Sequence, residues 1–305
     1  MKLFNTKTQQ IERFQPPNEQ ALLYLIGCIP GEEMQFSHLF LYCTIDGLIR
    51  YLEMSGVRVQ YAQRLDASAD QLQLKEWANN FAEIMRALNV RPPDYFWEMA
   101  GELDTDIHLA GQSGSIRAES AVSPPAQTES VVGQQLSAQF NLQTAAVSPD
   151  PSANPATAEE MLQRFSGDAI RIYLAQHHYR SPWAHDPILL EKAAQLAERL
   201  SAAMDALSTG DRPLNVVPVQ NRFQAALDND LDTVKAIATL LNLADEILFR
   251  AANDYQVENA QAALRQMASV FGLRLDRRSP EDRVIAGWRN YQEQISSAGE
   301  SSAAN

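Results

Sequence analysis

The run Leu22-Leu23-Tyr24-Leu25-Ile26, ended by Gly27, is a short apolar block without polar alternation. A strand covered on both faces reads this way, whereas a half-exposed strand alternates polar and apolar side chains. Downstream, Leu39, Tyr42, Ile45, Leu48, Ile49 and Leu52 recur at spacings of three and four. They predict a helix from Phe36, stopped at Gly56. Val57, Val59 and Tyr61 alternate as a second strand. Leu74, Trp77, Phe81, Ile84, Met85 and Leu88 then share one face of a second helix, which Pro92-Pro93 ends. Strand, helix, strand, helix at this spacing is a βαβ unit with a parallel sheet. One such unit is half of a nucleotide-binding fold.

The composition divides the chain into zones. Residues 1–103 are expected to form a truncated Rossmann-like half, α/β in class. Residues 104–156 contain Gly111-Gln112-Ser113-Gly114-Ser115, Ser123-Pro124-Pro125 and Val147-Ser148-Pro149-Asp150-Pro151. Large apolar residues are thin there, so the segment reads as a flexible, disordered linker in which Val131-Val132 and Phe140-Leu142 dock only transiently. Residues 157–297 read as an all-α helical bundle. Thr157-Ala158-Glu159-Glu160 is a capping-box pattern. Asp186-Pro187 starts a long helix, with Asp as cap and Pro where its missing N–H costs nothing. Stripes follow at Leu189 to Leu207, Val234 to Leu248 and Ala260 to Phe271, and Ser279-Pro280 caps a last helix reaching Ile295. Residues 298–305 read as a frayed tail. A half-sheet has an open edge, so a protein partner or a second copy is expected to cover it.

The net charge is −13, from 25 Lys and Arg against 38 Asp and Glu. Phosphate contacts supply most non-specific nucleic-acid affinity, so the acidic balance disfavours tRNA and gives no ground for DNA binding. The longest apolar run is far below the ~20 residues that cross a bilayer, so no membrane role is expected. The two cysteines, Cys28 and Cys43, are too few for a disulfide framework, and the start lacks a secretory pattern. Both point to the cytoplasm.

Three collinear stretches resemble the cysteinyl-tRNA synthetase family of class I aminoacyl-tRNA synthetases. The first is Leu3-Phe4-Asn5-Thr6-Lys7-Thr8 with Glu12-Arg13-Phe14 and Tyr24-Leu25-Ile26-Gly27. The second runs from Asp46-Gly47-Leu48-Ile49-Arg50-Tyr51 through Val59-Gln60-Tyr61 to Ala87-Leu88-Asn89-Val90-Arg91-Pro92. The third joins Arg171-Ile172-Tyr173-Leu174, His178-Tyr179-Arg180-Ser181-Pro182, Arg222-Phe223 and Ala226 to Thr233, and it ends at Leu264 to Leu273. Together they cover roughly two thirds of the chain.

The resemblance also implies what is missing. The family's "HIGH" motif holds ATP phosphates; here the aligned residues are Gln35-Phe36-Ser37-His38, and only one imidazole survives. With Gly27, the residues Gln35, Ser37 and His38 make a vestigial nucleotide-binding segment at a strand-to-helix turn. The family's "KMSKS" loop has no counterpart among Lys2, Lys7, Lys75, Lys192 and Lys235. Its zinc site begins at a Cys that is Ile26 here, and Cys28, two residues on, lies ~6–7 Å further along the strand. Zinc is therefore not expected, no catalytic or metal-ligating residue is assigned, and ATP is the one candidate cofactor.

Other readings are structural. Cys28 reads as a buried thiol. His177, His178 and His185 do not match a zinc spacing and read as packing residues. Asp228, Asp230 and Asp232 read as helix caps rather than a cation site. Arg171 and Arg180 meet a tRNA acceptor stem if the family pattern holds, and otherwise pair with carboxylates. The expected function is that of a catalytically inactive synthetase-like protein used for binding or regulation. The alternative readings are an ATP-dependent cysteine–tRNA ligase assisted by another chain, or a tRNA-binding module without chemistry.

Overall fold

The computed structural model describes residues 1–26, 34–65, 71–98, 115–120, 140–148, 157–208, 210–253, 255–275 and 284–293. The chain opens with an antiparallel hairpin, β1 (Lys2–Asn5) and β2 (Gln10–Arg13). The expected buried strand is β3 (Gln20–Ile26), followed by α1 (Phe36–Met54), β4 (Arg58–Leu65), α2 (Gln71–Ala87) and a four-residue β5 (Tyr95–Glu98).

The sheet does not stop there. Residues β6 (Ser115–Ser120) and β7 (Phe140–Thr144) fall in the stretch expected to be a linker, yet they join the sheet. The sheet has five strands in the order β5-β4-β3-β6-β7, every pair parallel. The expected α/β plus helical-bundle architecture is present, but the sheet is wider than the half-sheet, and the sheet-forming region extends past residue 103. Phe140, Leu142 and Thr144 are buried and alternate with half-buried Asn141 and Gln143. Ile116 and Ala118 are likewise fully buried. These short strands gain their stability from burial against β3 and α1 rather than from length.

The outer side of β7 is covered by the chain's own hairpin. Thr6 donates its backbone N–H (2.8 Å) and its hydroxyl (3.0 Å) to the Asn141 carbonyl, and the Asn141 N–H donates to Asn5 Oδ1 at 3.1 Å. This edge is therefore not open. The opposite edge is the short strand β5.

The bundle comprises α3 (Ala158–Arg164), α4 (Gly167–Ala175), α5 (Pro187–Asp205), α6 (Val217–Asp228), α7 (Thr233–Ala251), α8 (Glu258–Val270) and α9 (residues 284–293). The Thr157 hydroxyl accepts from the Glu160 N–H while Glu160 reaches back to the Thr157 N–H, as the capping box predicts. Asp186 caps α5 through the N–H groups of Ile188 and Leu189, with Pro187 in the first turn. Sheet and bundle share one hydrophobic core that runs from Leu3 to Tyr291. Helix α1 lies between them and is buried almost all round, Asp46 and Arg50 included. An all-round apolar helix belongs in such a sandwiched position. The reverse sheet face carries a smaller cluster of Tyr24 and Ala62 with Leu22 and Ile26.

Candidate functional site

In an open parallel sheet, ligands bind outside the carboxyl ends of the strands where the strand order reverses. Here that point lies between β3 and β6, because the chain runs outward to β4 and β5 and then returns to the other side of β3. The start of α1 stands at this rim. Gln35, Ser37 and His38 lie there, while Gly27 and Cys28 lie outside the described residues.

The segment's own chemistry is inward-looking. Gln35 is the extended N-cap of α1, and its backbone N–H donates to His38 Nδ1 at 3.2 Å. An accepting Nδ1 requires the neutral ring. Burial also lowers the His38 pKa. Ser37 is buried. His38 therefore closes the first turn of its own helix and presents no cation at the rim.

Beside it sits an aromatic cluster that the sequence did not point to. Phe36 stacks on His185 at 4.1 Å between ring centroids and meets Tyr173 edge-on at 5.9 Å. His177 lies flat on Trp183 at 3.8 Å and 2°. Burial lowers the His177 pKa to about 4. Tyr173 Oη bonds His185 Nδ1 at 2.9 Å and accepts from the Asp186 N–H at 2.9 Å. The histidines are packing residues in this arrangement, and no group of three or more metal-ligating side chains occurs among the described residues. The run of aromatic and histidine residues from Tyr173 to His185 was the available signal.

Of the two readings left open for Arg171, the structure shows the pairing with a carboxylate. The residue is 2% exposed and lies inside the protein, where Nη2 pairs with Asp46 Oδ2 at 2.6 Å. Nη1 donates to the Phe271 carbonyl at 2.6 Å and Nε to the Leu88 carbonyl. Arg50 Nε shares the same Asp46 oxygen at 2.9 Å, and its Nη2 donates to the Asn89 carbonyl at 2.8 Å. Burial acts to raise the Asp46 pKa, but the two guanidinium groups and the Arg91 N–H outweigh it and hold the carboxyl below its ordinary value. This node joins α1, α4, the turn after α2 and the end of α8, so Arg171 has no face for an RNA.

Arg180 is exposed, and its guanidinium pairs with Asp230. Its Nε and Nη2 lie 2.7 and 2.5 Å from Asp230 Oδ2, and its guanidinium sits 4.4 Å from the Phe4 ring centre. Asp230 Oδ1 also accepts from the Phe4 N–H at 2.7 Å and the Tyr179 hydroxyl at 2.6 Å. Of the other acidic residues, Asp232 caps α7 through the Lys235 N–H at 3.0 Å, and Asp228 accepts from the Tyr51 hydroxyl at 2.7 Å. Capping therefore holds for Asp232, while Asp228 and Asp230 are long-range acceptors.

The comparisons agree with this architecture. Residues 222–276, from α6 through α8, match the DALR domain. A cysteine–tRNA ligase of Dehalococcoides mccartyi is 22% identical over 396 residues, 90% of this chain and 86% of the relative. That alignment is longer than the 305-residue chain, so the relative carries segments with no counterpart here. A cysteine–tRNA ligase of Dichelobacter nodosus is 36% identical over 119 residues, 38% of this chain and 25% of the relative. Among solved structures, one described as an arginyl-tRNA synthetase from Campylobacter jejuni superposes with a TM-score of 0.52 at 10% identity, over 92% of this chain and 94% of that one. The arginyl-tRNA synthetase of Plasmodium falciparum gives 0.51 at 10% identity, over 89% and 80%.

Proposed function

We propose that this chain, which is similar to cysteine–tRNA ligases over 90% of its length, is a catalytically inactive paralogue of the class I aminoacyl-tRNA synthetases, working as a binding or regulatory module in the cytoplasm. The observation that carries this reading is His38. Its Nδ1 is spent on the Gln35 N–H and its ring is kept neutral by burial, so the surviving imidazole brings no charge to a nucleotide phosphate. The lysine-poor sequence supports the same reading, since no lysine loop is present to neutralise a departing pyrophosphate. ATP and zinc are not required cofactors in this role. The partner is a protein or a second copy of this chain rather than tRNA: Arg171 and Arg180 are both turned onto carboxylates.

A second reading is favoured by the five-stranded sheet. Its switch point and the start of α1 keep the frame on which a nucleotide binds, so cysteine activation with ATP, assisted by another chain, is the alternative. Cysteine-dependent ATP–pyrophosphate exchange, with and without zinc, separates the two. The module reading expects exchange at the level of a His38→Ala variant. Exchange clearly above that variant would establish the ligase reading instead.

A further inference from the structure

A cavity of about 350 Å³ opens at the other end of α1, between the N-terminal hairpin, the last turns of α1 and the end of α6. It is lined among others by Arg13, Phe14, Glu19, Tyr51, Val57 and Asp228. With ~1.5 Å rise per helical residue, it lies roughly 25 Å from the Gln35–His38 segment. Its size falls within the range of small-molecule sites.

Two features distinguish it from an ordinary surface dent. Arg13 and Glu19 are exposed at the mouth and make no hydrogen bond or ion pair among the described residues, so the mouth offers one uncommitted charge of each sign. Asp228 is already occupied: its Oδ1 accepts from the Tyr51 hydroxyl at 2.7 Å and faces the Met1 ammonium at 3.7 Å, so these two charges balance each other in the wall. The rim is also strained: Asn18 and Glu19, consecutive non-glycine residues, both adopt left-handed backbone at φ 53° and 56°. Side chains disfavour that region, and such strain gathers at ligand clamps when the surrounding structure holds it in place. The wall between the charges is apolar, from Phe14 and Val57.

We infer that this cavity binds a small zwitterion, a carboxylate meeting Arg13 and an ammonium meeting Glu19 across an apolar body. The inference does not depend on the proposed function, because neither the α1 start nor the switch point contributes to the cavity.

The probes are 4-aminobutyrate, 6-aminohexanoate and 8-aminooctanoate, which carry the two charges at increasing separation. Hexanoate and hexylamine are the single-charge controls. Titration calorimetry on the full chain, without ATP, should give a dissociation constant in the millimolar range or tighter for at least one zwitterion. Binding should weaken at least tenfold for both controls, and also in Arg13→Gln and in Glu19→Gln. Glu19→Gly should raise the melting temperature of the free protein, since glycine accepts the left-handed backbone, and it should also weaken binding. His38→Ala should bind as the parent does. Absence of binding by all three zwitterions at 10 mM, equal binding by a control, or full binding in Arg13→Gln would each overturn the assignment.

Discussion

Arg171 and Asp46 lie 125 residues apart in the chain and meet at 2.6 Å inside it. Removing one partner of a buried pair leaves an unpaired charge, which costs about 3–5 kcal/mol. Asp46→Asn is thus expected to lower the urea unfolding free energy by about that amount, read from equilibrium denaturation. The folded-state pKa of Asp46 is depressed. Its contribution is therefore present above the ordinary carboxylate value and is lost as pH falls through the folded value. His177 acts in a different window. Its folded pKa, about 4, is below the ordinary 6.5, so the unfolded chain takes up the proton first and stability falls as pH drops from about 6.5 towards 4. His177→Phe keeps a ring on Trp183 and should flatten the melting temperature between pH 7 and pH 5. An unchanged pH profile would show that the stack does not carry the effect. An arginine's exposure is not legible in its own identity, and this is why the sequence left Arg171 open between an RNA contact and an ion pair. The partner that decides it comes from another helix.

At the scale of elements, the long helices were legible because burial gives them a 3.6-residue period and caps mark their ends. The helix expected from Phe36 is α1 (Phe36–Met54), and the Thr157 and Asp186 caps are formed as read. Strands β6 and β7 were not assigned. Composition over the whole of residues 104–156 masked them, although Phe140, Leu142 and Thr144 carried the period-two pattern of a strand with one buried face. β5 was missed for its brevity: four residues do not establish a period. Helix α9 is the last described helix, and it docks through Trp288. That side chain is fully buried, sits 5.3 Å from the Phe81 ring centre and donates Nε1–H to the Val90 carbonyl at 2.9 Å. Trp288→Ala should cost about 3–5 kcal/mol. Hydrogen exchange should show amides of 284–293 losing protection before those of α7. Equal loss in both would mean that α9 is not a separable element.

Over the whole molecule, a single core joins the sheet to the bundle, so the zones that composition separates are expected to melt together. One calorimetric transition, rather than two, is the outcome this predicts. The partner expected from an open half-sheet has a narrower place than the sequence implied, since the hairpin already covers β7 and, among the described strands, β5 is the other edge. A monodisperse monomer by light scattering at micromolar concentration would remove self-association from the proposal. The grip of Asp230 on Phe4 also has a consequence in time. Its two residues are separated by 226 positions. At a synthesis rate of about 5–20 residues per second, Phe4 leaves the ribosome on the order of ten to forty seconds before its acceptor exists. The hairpin can pair within itself and meet Asn141 much earlier, so its bond to Asp230 is the late one of its contacts and locks a strand that is already partly placed.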